Sequence, residues 1–177
     1  MAIYIAFLRA INVGGRVVKM DALREIFKGC GLRGVETFIA SGNVIFEAST
    51  AKPLEAKIEK QLKSVLGYEV ETFVRSAEEV RAVSLYQPFP AAAVEAARSL
   101  HVGFLRDALS PATAARVKEF DSDVDEFHVH GREVYWLCRV PQAETKVNPK
   151  KFERAIEGPA TFRNRNTIAR LAARYSR

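Results

Sequence analysis

The chain has 177 residues, of which 48% are hydrophobic and 27% charged, with two cysteines and a formal net charge of +6. This composition supports one sizeable core or two small ones and excludes a disordered chain. No run approaches the ~20 apolar residues that span a bilayer, and the N-terminus lacks both the basic segment and the small-residue cleavage site of a secretory leader. Cys30 and Cys138 read as small buried hydrophobes that need no oxidising compartment, so a cytoplasmic protein with no membrane partner is expected.

Ile3 to Leu8 is a near-continuous apolar run rich in β-formers, which predicts a central strand buried on both faces. It leads into the turn Arg9-Ala10-Ile11-Asn12-Val13-Gly14-Gly15-Arg16. Asp21 is then placed as the cap of a helix carrying Leu23, Ile26, Phe27 and Cys30 at helical spacing, stopped by Gly29 and Gly31. Residues 37–40 and 44–47 flank Ser41-Gly42-Asn43, which predicts a β-hairpin. A helix follows with Pro53 in its first turn and Leu54, Ile58, Leu62 and Val65 as its buried stripe, ended by Gly67. Residues 69–75 alternate as a half-buried strand does, and Ser76-Ala77-Glu78-Glu79 is a capping box opening a short helix.

The same order then repeats. Phe104-Leu105-Arg106 echoes Phe7-Leu8-Arg9, Ser110-Pro111 starts a helix, and residues 127–132 and 134–137 form a second hairpin. Asn148-Pro149 opens a helix closed by Gly158, residues 160–163 form a strand, and Asn166 caps a last helix reaching about Tyr175. Asp21 and Ser110, Gly42 and Gly131, and Phe73 and Phe162 stand at one common offset. The chain therefore reads as α+β, a tandem duplication of two ferredoxin-like βαββαβ units, each followed by a helix. Residues 1–84 make the first unit with the Gly-Gly loop, 85–99 the connector, and 100–177 the second unit with a basic C-terminal helix. The route from Arg9 to Asp21 is eight residues longer than that from Arg106 to Ser110, so the Gly-Gly loop is an addition to the first copy and marks a place for function.

The stretch Arg9 to Gly15, Met20, the hairpin 38–44, Pro88-Phe89 and the segment 161–167 resemble the uncharacterised bacterial domain-of-unknown-function family 1697 over nearly the whole chain. The resemblance implies the paired ferredoxin-like architecture and carries over no catalytic residue. Family members often have Gly where this chain has Ala10 and an aromatic where it has Arg165.

Two groups of residues could bind anions. At one end of the first sheet, Arg9, Asn12, the Gly14 and Gly15 amides, Ser41 and Asn43 are expected to converge on a phosphate or carboxylate; the spacing is not that of a P-loop. The second group follows from the charge distribution, since residues 1–144 hold 18 Lys and Arg against 19 Asp and Glu while 145–177 hold 9 against 2. Lys150, Arg163, Arg170, Arg174 and Arg177 form the expected polyanion surface, with nucleic acid as the first-ranked partner and a small anionic ligand or a protein partner as alternatives. His128 and His130 lack a third ligand, Asp121, Asp123 and Asp125 lack the glycine and glutamate of a calcium loop and read as a solvated loop, and no nucleophile elbow occurs. No metal or cofactor is expected, binding is favoured over catalysis, and the pattern specifies no oligomeric state.

Overall fold

The structure, a computed structural model, describes residues 1–12, 14–39, 42–50 and 54–175. Pro53, Ser41 and Arg177 thus lie outside the described residues. The first half runs β1 (Ala2–Leu8), α1 (Met20–Gly29), β2 (Arg33–Thr37), β3 (Asn43–Ala48), α2 (Leu54–Leu66), β4 (Thr72–Ser76) and α3 (Ala77–Leu85). After α4 (Ala91–Ala96) the second half runs β5 (Ser99–Phe104), α5 (Pro111–Lys118), β6 (Asp125–His130), β7 (Glu133–Cys138), a 3-10 turn (Gln142–Glu144), α6 (Pro149–Ile156), β8 (Thr161–Asn164) and α7 (Arg165–Tyr175). Each half builds a four-stranded antiparallel sheet, in the orders β2-β3-β1-β4 and β6-β7-β5-β8. The order is the same in both, and it is that of a ferredoxin-like α+β unit, duplicated. β1 is central, as its apolar run requires: Ile5, Ala6, Phe7 and Leu8 are all buried. The compact units are residues 1–82 with 169–177, and residues 83–168. The C-terminal turns of α7 therefore belong to the first unit.

In the first unit α1 and α2 bury Leu23, Ile26, Phe27, Leu54, Ile58 and Leu62 against Ala6, Leu8, Val44, Phe46 and Val74 of one sheet face. In the second, Val117, Phe152 and Ile156 pack on Phe127, Val134, Trp136 and Cys138. Phe127 stacks on Trp136 at 5.7 Å and Phe162 meets Trp136 edge-on at 5.7 Å, so aromatic contacts dominate this core. Gly103 is required there: a Cβ would stand 2.6 Å from the Phe162 ring.

The duplication extends to an arginine, fully buried as Arg75 and half-buried as Arg163. Arg75 pairs in register with Ile5 and Arg163 with Val102, so laying Phe104-Leu105 on Phe7-Leu8 superposes the two arginines. Each donates from Nη1 to the carbonyl of the residue before it, Val74 or Phe162, at 3.0 Å. That register corrects one landmark of the repeat. Phe73 pairs with Phe7 while Thr161, not Phe162, pairs with Phe104; in a strand one residue of offset moves a side chain to the other face.

Local expectations differ from the structure in several places. Lys19 stands at the N-cap of α1 without a side-chain cap bond, and Asp21 sits inside the first turn, paired with Arg24. Strand β2 ends at Thr37, so Phe38 and Ile39 belong to a longer connection before Asn43. Val65 is exposed, and β4 is buried on both faces, not half-buried. Glu157, in left-handed geometry at φ 60°, closes α6 in place of Gly158, and α7 opens two residues earlier than expected, with Asn164 Oδ1 accepting from Asn166 N. The Ser76 and Glu79 capping box and the Ser110 and Asn148 caps form as the sequence requires.

Asp125 is the clearest correction, because it is fully buried and not in a solvated loop. Its carboxylate accepts from Trp136 Nε1 at 2.8 Å, Thr145 Oγ1 at 2.8 Å and Lys146 N at 3.2 Å, tying the segment after β7 to the sheet. Cys138 lies against the same carboxylate, and its thiol is pushed up to about 11 by burial first and Asp125 second. Asp123 remains exposed and paired with Lys146.

Candidate functional site

The end of β1 and the β2–β3 connection do lie together: Leu8 N donates to Gly42 O at 2.8 Å, and a Cβ on Gly42 would come within 3.0 Å of Leu8 Cβ. Around them, however, the Arg9, Asn12 and Asn43 side chains each face a specific protein partner. Arg9 Nη1 donates to Glu71 at 2.8 Å, and Asn12 Oδ1 accepts from Val18 N at 2.8 Å, closing the added loop on itself. Asn43 is buried and donates to the Phe38 carbonyl at 3.0 Å, shaping the hairpin. Gly14 and Gly15 have φ of 66° and 79°, the left-handed region that favours glycine, and open space where a Cβ would lie. The loop docks through Ile11, which is buried in the core and whose carbonyl accepts from Tyr68 Oη at 3.2 Å, while Arg16 lies 4.1 Å over the Tyr68 ring. Ala10, exposed at φ 52°, occupies a conformation that costs an L-residue ~1–2 kcal/mol.

The basic residues divide between the units. Lys150 is exposed on α6 in the second, and Arg163 on β8 is half-buried, donating to Thr161 Oγ1 at 2.8 Å, with burial drawing its guanidinium down to about 10. Arg170 and Arg174 belong to the first. Ile168, Leu171 and Ala172 turn inward on α7, which leaves both arginines on the solvent side. Their guanidinium carbons lie 5.3 and 5.9 Å from the centre of the Phe38 ring, and Tyr175 meets that ring edge-on at 6.3 Å. Glu36 on β2 accepts from Tyr175 Oη at 2.8 Å and from Arg174 at 3.4 Å. Burial first, then Glu36, pushes the Tyr175 phenol up to about 12. Helix periodicity reveals the arginines, but Glu36, Phe38 and Tyr175 are joined across 137 or more residues and carry no local signal of their partnership.

The sequence profile of the family described as protein of unknown function (DUF1697) matches residues 1–135. The chain belongs to the DUF1697 family. Its fold is similar to that of the conserved bacterial protein SP0830 from Streptococcus pneumoniae, with a TM-score of 0.77 and 23% identity over 100% of this chain and 99% of that one. No curated protein matches the sequence.

The second unit of this DUF1697 chain holds two further features. A cleft of about 370 Å³ opens between the end of β5, the start of α5 and the end of α6, lined among others by Leu105, Arg106, Ser110, Thr113 and Ile156. On the face of β6, Tyr86 stacks on His130 with centroids 3.9 Å apart and hydrogen-bonds His128 Nε2 at 2.8 Å. Burial, with His130 and Lys118 adding positive charge, lowers the His128 pKa. Among the described residues no group of three His, Cys, Asp or Glu side chains is placed to hold a metal, and no helix is long and apolar enough to cross a membrane.

Proposed function

We propose that this DUF1697 protein binds nucleic acid, with Arg170 and Arg174 of α7 contacting backbone phosphates. The observation that carries the reading is the side-by-side placement of two exposed guanidinium groups over Phe38. A guanidinium offers several N–H donors in a fixed fork, and two on one helix face at i and i+4 match a charged, extended partner better than a compact ligand. The net charge of +6 on the whole chain favours encounter with such a polymer. Lys150 and Arg163 lie in the other unit and are not needed for it.

The reading is tested by fluorescence anisotropy with labelled single-stranded and duplex oligonucleotides at low salt. Wild type is expected to bind, and R170Q/R174Q to weaken binding about tenfold or more while folding normally, because charged hydrogen bonds contribute ~1.5–3 kcal/mol each and exposed charges little to stability. A small phosphate or carboxylate at the Gly14-Gly15 loop is the second reading, favoured by the open positive-φ glycines. It is the weaker one, since Glu71 meets Arg9 and Val18 N meets Asn12.

A further inference from the structure

The basic surface of α7 already faces an anion of its own. Glu36 is exposed on β2, which stands at the edge of its sheet, and a single oxygen, Oε2, accepts from both Tyr175 Oη at 2.8 Å and Arg174 Nη2 at 3.4 Å. Arg174 is meanwhile held by two rings, 5.9 Å from the Phe38 centre and 5.3 Å from that of Tyr175. A guanidinium oriented by aromatic faces, beside a phenol hydroxyl, is a donor set for an oxyanion. A phosphate oxygen accepts from the same donors as a carboxylate oxygen does. Arg170, one turn away, would repel Arg174, and the carboxylate offsets that repulsion.

We propose that Glu36 is a built-in occupant of the phosphate position at Arg174 and Tyr175, so that nucleic acid binds there by displacing an intramolecular carboxylate. The inference rests on the nucleic-acid reading above and adds its regulation. The interface is self-blocked: its affinity is set by competition between a tethered carboxylate and an incoming phosphate. Because the ion pair is solvent-exposed, with side-chain exposures of 59% and 52%, the block is shallow and readily reversed.

Anisotropy titrations of a fluorescein-labelled oligothymidylate test this with wild type, E36Q, R174Q, E36Q/R174Q and E78Q. The amide of E36Q keeps the shape and an acceptor but removes the charge, and E78Q makes the same charge change at an exposed acid on α3. E36Q is expected to bind about two- to five-fold tighter than wild type, the range of an exposed ion pair. The gain should vanish in the R174Q background, because the carboxylate acts through that guanidinium. A gain of equal size in R174Q, an equal gain in E78Q, or no gain in E36Q would overturn the block while leaving nucleic-acid binding intact. Wild type that binds no oligonucleotide at low salt would remove the reading on which the inference rests, and the inference with it.

Discussion

Replacing Asp125 with Ala strips a buried acceptor from Trp136 Nε1, Thr145 Oγ1 and Lys146 N. Thr145 and Lys146 lie near the surface and regain water; the indole N–H, on a residue only 9% exposed, does not. One buried donor left unpaired costs about 2 kcal/mol, and the two rehydrated donors lose only ~0.5–1 kcal/mol each, which brings the expected destabilisation to roughly 3–4 kcal/mol. D125N retains an oxygen for Trp136 but turns an NH₂ toward other donors, for roughly 1–2 kcal/mol. Trp136 is the single tryptophan of the chain, so its fluorescence during urea unfolding reports directly on the site that is changed. At ~2–4 °C per kcal/mol for a chain of this size, D125A should also lower the melting temperature by roughly 6–16 °C. D125A within about 1 kcal/mol of wild type, or D125N as damaging as D125A, would refute the account of Asp125 as the acceptor that holds the segment after β7.

Ala10 at φ 52° is exposed and strained, so A10G should stabilise by about 0.5–1 kcal/mol after the greater unfolded-state entropy of glycine is subtracted; an unchanged or lower denaturation midpoint would contradict this. G14A should cost only the backbone term of ~1–2 kcal/mol, since its Cβ meets nothing within 4 Å, whereas G103A drives a Cβ to 2.6 Å from Phe162 and should cost more; the two midpoints compared side by side check the ranking. Native His101 and His128 have pKa values lowered from 6.5, chiefly by burial. The unfolded chain then binds more protons than the native one below the ordinary value, so stability is complete above pH 6.5 and falls as the pH drops toward the native pKa values. Urea midpoints across that window check the sign, and midpoints that rise on acidification would reverse it.

The sequence made the architecture legible because the buried faces have simple periods. The apolar run Ile3 to Leu8 identified a central strand, and the repeat of Phe-Leu-Arg at residues 7–9 and 104–106 identified the duplication that the two sheet orders display. Capping chemistry was equally readable at Ser76, Ser110 and Asn148, where a side chain answers nearby amides. Less legible were features created by contacts remote in sequence. Asp125 looked like a loop acid because nothing nearby in the chain announces that Trp136 and Thr145 will surround it. Phe73 and Phe162 looked equivalent because their offset matched two other landmarks, although register puts them one residue apart and thus on opposite faces. The basic stripe at Arg170 and Arg174 follows from helix spacing, while Phe38 beneath it and Glu36 beside it depend on where α7 packs.

The salt dependence of oligonucleotide binding tests the central claim most directly, because phosphate contacts release counterions and folding does not enter the measurement. Plotted as log affinity against log salt, each phosphate neutralised on a single strand contributes about 0.7 to the slope. R170Q/R174Q should therefore bind with a slope flatter than wild type by about 1.4, with an unchanged unfolding midpoint. An R170Q/R174Q variant that keeps the wild-type slope would place the contacts elsewhere and contradict the account of α7 as the binding surface.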